Sequence, residues 1–212
     1  MKVKKQILLI NGSPRAPHSH SKQVASLFRK FCRVPSDYAC ITSTNHAALC
    51  QRMENYSDVV LVFPLYVDSL PVRLLEFLKS VEAYRLSHRP VVSVVINCGF
   101  FEPKQNDVAV DMIRLFCAQN GFSFGSALKI GSGEAVLATP FRFLLALQIY
   151  RLVSGICRNH YATLSFTMPI PLATFIKASF GYWELLGKGN GISREQMETM
   201  KIEDDTPVNP RT

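Results

Sequence analysis

A chain of 212 residues, 48% of them hydrophobic, is long and apolar enough to enclose a full core, which argues against a disordered protein. The net charge of +8 favours anionic ligands, but the cationic side chains are spread along the chain without a dense arginine run, so nucleic-acid binding is not expected. The six cysteines form no C-x-x-C pair, which leaves zinc and iron–sulfur sites without support.

Short apolar runs alternate with helical spacing through the first 130 or so residues. Near-continuous apolar runs are typical of parallel strands buried on both faces, and apolar residues at helical spacing indicate helices that pack on such a sheet. The predicted strands cover residues 6–10, 38–41, 58–63, 91–96 and 122–130. The predicted helices cover residues 21–32 and 107–120, a stretch from a cap at Asn45 through Tyr56, and one opened by Leu70 and Pro71. Gly131-Ser132-Gly133 ends the last of these strands.

The loop between the first strand and the first helix is rich in hydroxyl, amide and cationic groups. Gly12 permits a close backbone turn, the serines can donate to anionic oxygens, and Arg15 adds a permanent forked charge. Since the first N–H groups of a helix have no internal partner, this loop is suited to a phosphate. An ordinary N-capped helix after a basic loop is the alternative. Neither G-x-G-x-x-G nor G-x-x-x-x-G-K-[ST] occurs in the loop, so a phosphate monoester is the predicted ligand.

Two further polar loops follow buried strands of the predicted sheet. They begin at Pro64 and Asn97, and the first loop begins at Asn11. In an open parallel sheet, ligands bind outside the carboxyl ends of the strands where the strand order reverses. The three loops therefore predict one ligand site, although an ordinary strand-to-helix loop with an exposed tyrosine is the alternative for the one at Pro64.

A family resemblance rests on the order and spacing of three motifs, each of which is weak alone. They are Asn11-Gly12-Ser13-Pro14-Arg15 with Ser19 and Ser21, Pro64-Leu65-Tyr66-Val67-Asp68-Ser69-Leu70-Pro71, and Asn97-Cys98-Gly99-Phe100. Over about residues 6–135 the chain resembles the flavodoxin-like NAD(P)H-dependent FMN reductases. The resemblance implies an α/β three-layer sandwich with a five-stranded parallel sheet in the order 2-1-3-4-5.

The resemblance also implies which residues bind FMN. Those for the ribityl phosphate and its loop are Gly12, Ser13, Arg15, Ser19, His20 and Ser21. Those for the isoalloxazine ring are Pro64, Leu65, Tyr66 and Val67, with Asn97, Cys98, Gly99 and Phe100 on its pyrimidine side. Because the flavin itself accepts and passes on hydride, no catalytic acid or base is expected. No bound metal is expected either, since the cysteine spacing supports none. Cys98 is interpreted as a plain loop cysteine rather than a redox thiol, and His18 and His20 as loop residues rather than catalytic groups.

Beyond about Thr139 the alternation of strands and helices gives way to apolar helical stretches. An apolar helix is expected to start at Thr139-Pro140, a second helical stretch covers residues 172–186, and a short helix and a loose end follow from about Ile192. We expect an FMN-binding domain over residues 1–138 and a helical extension over 139–212 that packs on it or on a partner subunit of a homodimer or homotetramer. Charged residues interrupt both helices, so a membrane span is not expected, and attachment to a membrane surface is the less favoured alternative.

The expected function is that of an FMN-dependent oxidoreductase. It would transfer hydride from NADPH or NADH through the flavin to a small acceptor such as a quinone, a nitro or azo compound, or a metal ion. A flavodoxin-like electron carrier or flavin-binding partner protein is the alternative, and a flavin-free interaction module is the third. Small electron-carrier flavodoxins are typically acidic, so the basic charge and the extra helices favour the enzyme. With no signal-peptide pattern before the first strand, we expect a cytoplasmic protein with reduced thiols.

Overall fold

A computed structural model of the chain describes residues 4–15 and 18–199. The chain divides into two compact units, Met1–Pro169 and Ile170–Thr212. Of the segment 139–212 that sequence analysis treats as a helical extension, residues 139–169 thus lie in the first unit. The predicted loose end lies outside the described residues from position 200 onward.

The first unit is built on a parallel sheet of six strands in the order β2-β1-β3-β4-β5-β6. The strands are β1 (Ile7–Asn11), β2 (Ser36–Cys40), β3 (Asp58–Pro64), β4 (Val91–Asn97), β5 (Phe124–Ile130) and β6 (Thr163–Phe166). The α/β class and the order of the first five strands are confirmed. The prediction of five strands is wrong by one, because β6 has only four residues of alternating exposure and therefore lacks the apolar run that marks a buried strand.

Helices connect the strands and cover both faces of the sheet. They are α1 (His20–Phe31), α2 (His46–Met53), α3 (Val72–Tyr84), α4 (Asp107–Asn120), α5 (Gly133–Ala138) and α6 (Arg142–Cys157), with a 3-10 turn at Pro103–Asn106. The short helix α5 occupies a stretch to which the sequence assigns no element. The apolar helix predicted from Thr139-Pro140 begins at Arg142, and Gly121 ends α4 in the left-handed conformation, as expected of a helix stop.

The core has two layers, one on each face of the sheet. Helices α2, α3 and α4 share one apolar cluster with Leu8 and Ile10 of β1. On the other face α1 packs against α6, where the rings of Phe31 and Tyr150 meet edge to face with centroids 5.8 Å apart. With both faces covered, β1 and β3 are buried almost throughout, as their sequences predict.

A buried carboxylate anchors the segment that leads into β6. The Lys5 Nζ donates to Asp58 Oδ2 at 2.6 Å, and the Tyr161 hydroxyl donates to Asp58 Oδ1 at 2.8 Å. Burial and the contact with Asp58 raise the pKa of Tyr161, so its hydroxyl keeps its proton. The cluster ties the start of β3 to the chain just before β6, which explains how so short a strand holds its place.

The described part of the second unit, residues 170–199, contains two helices, α7 (Leu172–Gly189) and α8 (Arg194–Thr199). Arg194 joins them, because its guanidinium lies 3.1 Å from Glu184 of α7 and 2.8 Å from Glu198 of α8. Among the described residues, no helix has the length and apolar character needed to cross a membrane.

Candidate functional site

The three predicted loops do meet at the carboxyl edge of the sheet. In the strand register Asn11 of β1 pairs with Val62 of β3, and Pro64 of β3 pairs with Asn97 of β4, so the three strands end side by side. Beyond these ends lies an open cavity of about 270 Å³. It is lined by Ser13, Arg15, His18, Ser19, His20, Ser21, Pro64, Leu65, Tyr66, Asn97, Cys98, Gly99 and Glu134.

Most of the residues assigned from sequence lie around this cavity, and three do not line it. Gly12 is buried against α3, where a Cβ atom would come within 3.3 Å of Leu74. The side chains of Val67 and Phe100 are 96% and 53% exposed and lie at the rim of the loops rather than in the cavity lining.

Sequence reasoning gave no ligand role to two residues that line the cavity, His18 and Glu134. Glu134 stands in the first turn of α5 and brings a carboxylate to the cavity. The location of Glu134 in the sequence could have indicated this. It directly follows the turn Gly131-Ser132-Gly133 after β5, so a fourth loop emerges at the same edge of the sheet.

The amino end of α1 faces the cavity with unused donors. Ser19 is the N-cap, and its side chain accepts a hydrogen bond from the Lys22 N–H at 3.2 Å. Within the described residues, the N–H groups of His20 and Ser21 have no acceptor, as expected for the first two positions of a helix. The buried Ser21 side chain likewise has no hydrogen-bond partner in that part of the chain. These groups, the positive end of the helix and Arg15 suit an anion.

Asn11, the last residue of β1, is fully buried beside this helix end. Its Oδ1 accepts from the Ser13 N–H at 2.8 Å, and its Nδ2 donates to Ser19 Oγ at 3.3 Å and to the Tyr38 hydroxyl at 2.9 Å. Burial raises the pKa of Tyr38 to about 12, so this hydroxyl is protonated at neutral pH. Sequence reasoning placed Asn11 in a motif but gave it no role, because only the fold brings Ser13, Ser19 and Tyr38 around its side chain.

The loop after β3 makes a tight turn in a strained backbone conformation. Val67 and Asp68 have φ angles of 48° and 52°, and Tyr66 and Ser69 exchange two backbone hydrogen bonds across the turn. A β-branched residue at positive φ costs conformational energy, and such strain is concentrated at functional sites in proteins. The turn fixes Tyr66, which is partly exposed, beside the cavity.

The loop after β4 is held from beneath by Cys98. The Leu65 N–H donates to Asn97 O at 2.8 Å and thereby joins this loop to the one after β3. The buried Cys98 thiol accepts from Asn106 Nδ2 at 3.4 Å. Burial raises the pKa of Cys98, so the side chain is a neutral thiol rather than a nucleophilic thiolate. This environment favours the plain loop cysteine over the redox thiol.

Neither protein-family models nor curated proteins yield a match to this sequence. Solved structures do match the fold. Rubredoxin oxygen:oxidoreductase from Desulfovibrio gigas aligns over 75% of this chain at 10% identity with a TM-score of 0.57, and this chain covers 37% of that protein's length. An NAD(P)H:quinone oxidoreductase from Methanothermobacter marburgensis aligns over 72% of this chain and 96% of its own, at 10% identity and a TM-score of 0.55.

An FMN-dependent NADH-azoreductase from Bacillus anthracis, solved in complex with FMN, aligns over 74% of this chain and 99% of its own. Its identity is 11% and its TM-score 0.52. A flavodoxin from Streptococcus pneumoniae also matches. At such identities the likeness shows the fold, which is flavodoxin-like.

Proposed function

We propose that the protein is an FMN-dependent oxidoreductase that takes hydride from NADPH or NADH and reduces a small acceptor. One observation carries the proposal: the anion-binding groups at the amino end of α1 open into the same cavity as the loops after β3 and β4. The names of structurally similar proteins, an NAD(P)H:quinone oxidoreductase and an FMN-dependent NADH-azoreductase among them, support the same chemistry.

The donor set of the cavity fits the phosphate of FMN. Ser13, Ser19 and Ser21 supply hydroxyls, α1 supplies two N–H groups, and Arg15 supplies a forked guanidinium group. All of these groups can donate to a phosphate dianion, which only accepts hydrogen bonds. The phosphate end of FMN would therefore be held here.

The other lining residues fit the ring end of the same ligand. Pro64, Leu65 and Tyr66 offer an apolar and aromatic wall, and Asn97 and Gly99 offer polar groups on the neighbouring loop. The volume of about 270 Å³ is slightly below the roughly 300–1,000 Å³ that is usual for small-molecule pockets. Part of a ligand as large as FMN would thus extend over the rim, where Tyr66 and Phe100 are exposed.

When bound, FMN supplies a ring that accepts hydride and passes electrons on. The chain's task is then to bind and orient. Arg15 and the end of α1 hold one end of the ligand, and the strained turn at Val67 fixes the wall on which the other end lies. The Cys98 thiol beneath the neighbouring loop is neutral, because burial raises its pKa, so this side chain adds no charge to the site.

Flavin absorbance and its response to nicotinamide test the function. We expect the purified full chain to retain FMN or to take it up, and NADPH or NADH to bleach the absorbance under anaerobic conditions. Uptake without bleaching would favour the electron carrier, and absence of uptake would favour a flavin-free interaction module. A screen of quinones, nitro compounds, azo dyes and ferric complexes on the reduced protein would then identify the acceptor.

We propose a cytoplasmic location. Support comes from the cysteines: all six lie within the described residues, and none of them is in a disulfide. A protein whose six cysteines are all unpaired thiols is typical of a reducing compartment.

We further propose that the protein forms a homodimer or a homotetramer through α7. Leu172, Ile176, Phe180 and Trp183 follow one another at helical spacing, and all four are exposed. An apolar stripe of this length is seldom left in contact with water, so it favours a subunit contact.

The Phe180→Glu substitution should shift the oligomer toward monomer, because a carboxylate cannot be buried unpaired in an apolar contact. Sedimentation velocity of the full chain would measure the shift. Thr174→Glu is the matched control, since at about 100° per residue it puts the same charge on the opposite side of α7 and should leave association unchanged. A monomeric wild type would contradict the proposal, and co-sedimentation of that monomer with anionic vesicles would favour the membrane surface instead.

A further inference from the structure

The buried side chain of Asn11 lies behind the loop that would hold the phosphate. Asn11 contacts both ends of this loop, through the Ser13 N–H at 2.8 Å and Ser19 Oγ at 3.3 Å. Both serines line the cavity and Asn11 does not. We infer that Asn11 is a positioning residue that fixes Ser13 and Ser19. It directs their hydroxyls to an anion that can only accept hydrogen bonds, a phosphate monoester. This inference rests on the proposed function.

The orientation of the Asn11 amide follows from its partners. The Ser13 N–H can only donate, so the atom that faces it must be the carbonyl oxygen of the amide. Both protons of the Nδ2 group are then used, one on Ser19 Oγ and one on the Tyr38 hydroxyl at 2.9 Å. Tyr38 also accepts from Cys40 Sγ at 3.2 Å, which holds the phenol in place on β2.

This network decides what the two serine hydroxyls can still do. Ser19 Oγ accepts from Asn11 Nδ2 and from the Lys22 N–H, so both of its lone pairs are occupied and its own proton remains. Ser13 Oγ accepts from the Arg15 N–H at 3.3 Å and also keeps its proton. Both hydroxyls can therefore donate a hydrogen bond but have little capacity left to accept one. Such a pair favours the binding of a ligand group that has no protons of its own, such as a phosphate dianion.

The comparison of FMN with riboflavin isolates this role, because riboflavin has the same ring and ribityl chain without the phosphate. Asn11→Leu keeps the branched shape and the number of heavy atoms of the side chain and removes its three hydrogen bonds. We expect the Kd for FMN to rise about 10-fold and the Kd for riboflavin to stay within about twofold, as measured by flavin fluorescence titration of the full chain. A residue that only supported the fold would weaken both ligands alike.

Two further variants keep the test decisive. Ser93→Ala removes the buried acceptor of the Ser126 N–H, 2.9 Å away between β4 and β5, and should lower Tm without changing the ratio of the two Kd values. If Asn11→Leu does not fold, Tyr38→Phe replaces it: the Kd for FMN should rise about two- to threefold, and that for riboflavin should not change.

The outcomes separate the inference from the function on which it rests. A wild type that binds FMN no more tightly than riboflavin overturns the phosphate assignment itself. A wild type that prefers FMN, together with Asn11→Leu and Tyr38→Phe variants that keep the same preference, overturns the role of Asn11 and leaves the proposed function standing.

Discussion

Replacing Arg15 with alanine should weaken FMN binding about 10- to 100-fold, because a hydrogen bond to a charged group contributes about 1.5–3 kcal/mol. The Arg15 side chain is exposed and lines the cavity beside the amino end of α1. Since its guanidinium has no ion-pair partner among the described residues, we expect the free energy of unfolding to change by no more than about 0.5 kcal/mol.

Arg29→Ala is the matched control for this prediction. Arg29 is exposed in the last turn of the same helix, about 15 Å along the axis from the N-cap, so its removal changes the net charge equally without touching the cavity. Isothermal titration with FMN should show a large loss for Arg15→Ala and almost none for Arg29→Ala. Equal losses would mean that overall charge, and not a local contact, attracts the ligand.

Gly131→Ala should lower the free energy of unfolding by about 3 kcal/mol, the upper part of the range for overpacking. A Cβ atom at this position would overlap the carbonyl oxygen of Phe101 and lie 3.0 Å from the Pro103 nitrogen. Neither side can yield easily: the Gly131 N–H donates to Phe166 O of β6 at 2.8 Å, and Thr167 Oγ1 donates to Phe101 O at 2.6 Å. The loop after β4 would have to move, and with it part of the candidate site.

Urea unfolding measures the effect, and Gly181→Ala serves as its control. Gly181 lies within α7 with no other atom within 4 Å of its added Cβ, so alanine there should be neutral or stabilising by up to about 1 kcal/mol. A Gly131→Ala variant as stable as the wild type would show that the loop from Phe101 to Pro103 adapts without cost.

The elements that the sequence predicts well are those whose local pattern has one physical solution. Apolar runs such as that of β3 fit a strand buried on both faces, and the structure differs from the prediction there by only one residue. The sequence 163–166 has no such pattern, because β6 forms only by pairing with β5 and by the anchor that Tyr161 makes to Asp58. The sequence does not predict helix α5, because Gly131-Ser132-Gly133 is typical of a turn. In the structure Ser132 does adopt a left-handed turn conformation, with φ 53°, and the helix begins directly after it.

The candidate site also has features that the sequence predicts and features that only the folded structure reveals. That the loops from Asn11, Pro64 and Asn97 converge follows from parallel topology alone, and the structure confirms their convergence. The bracing by Asn11 and the place of Glu134 in the lining depend on side chains brought together across the sheet, which no local pattern reveals. The ligand and the reaction stay predictions that the flavin experiments test.

Strand β6 also bears on how copies of the protein meet in concentrated solution. The outermost strand of a sheet offers unpaired backbone groups on which a foreign strand can assemble. On this side the sheet ends in a strand of four residues, two of which, Thr163 and Ser165, are polar and exposed. So short and polar an edge strand is a poor template for intermolecular strand pairing, and it covers Ala127–Ile130, four of the seven residues of β5, against that route to aggregation.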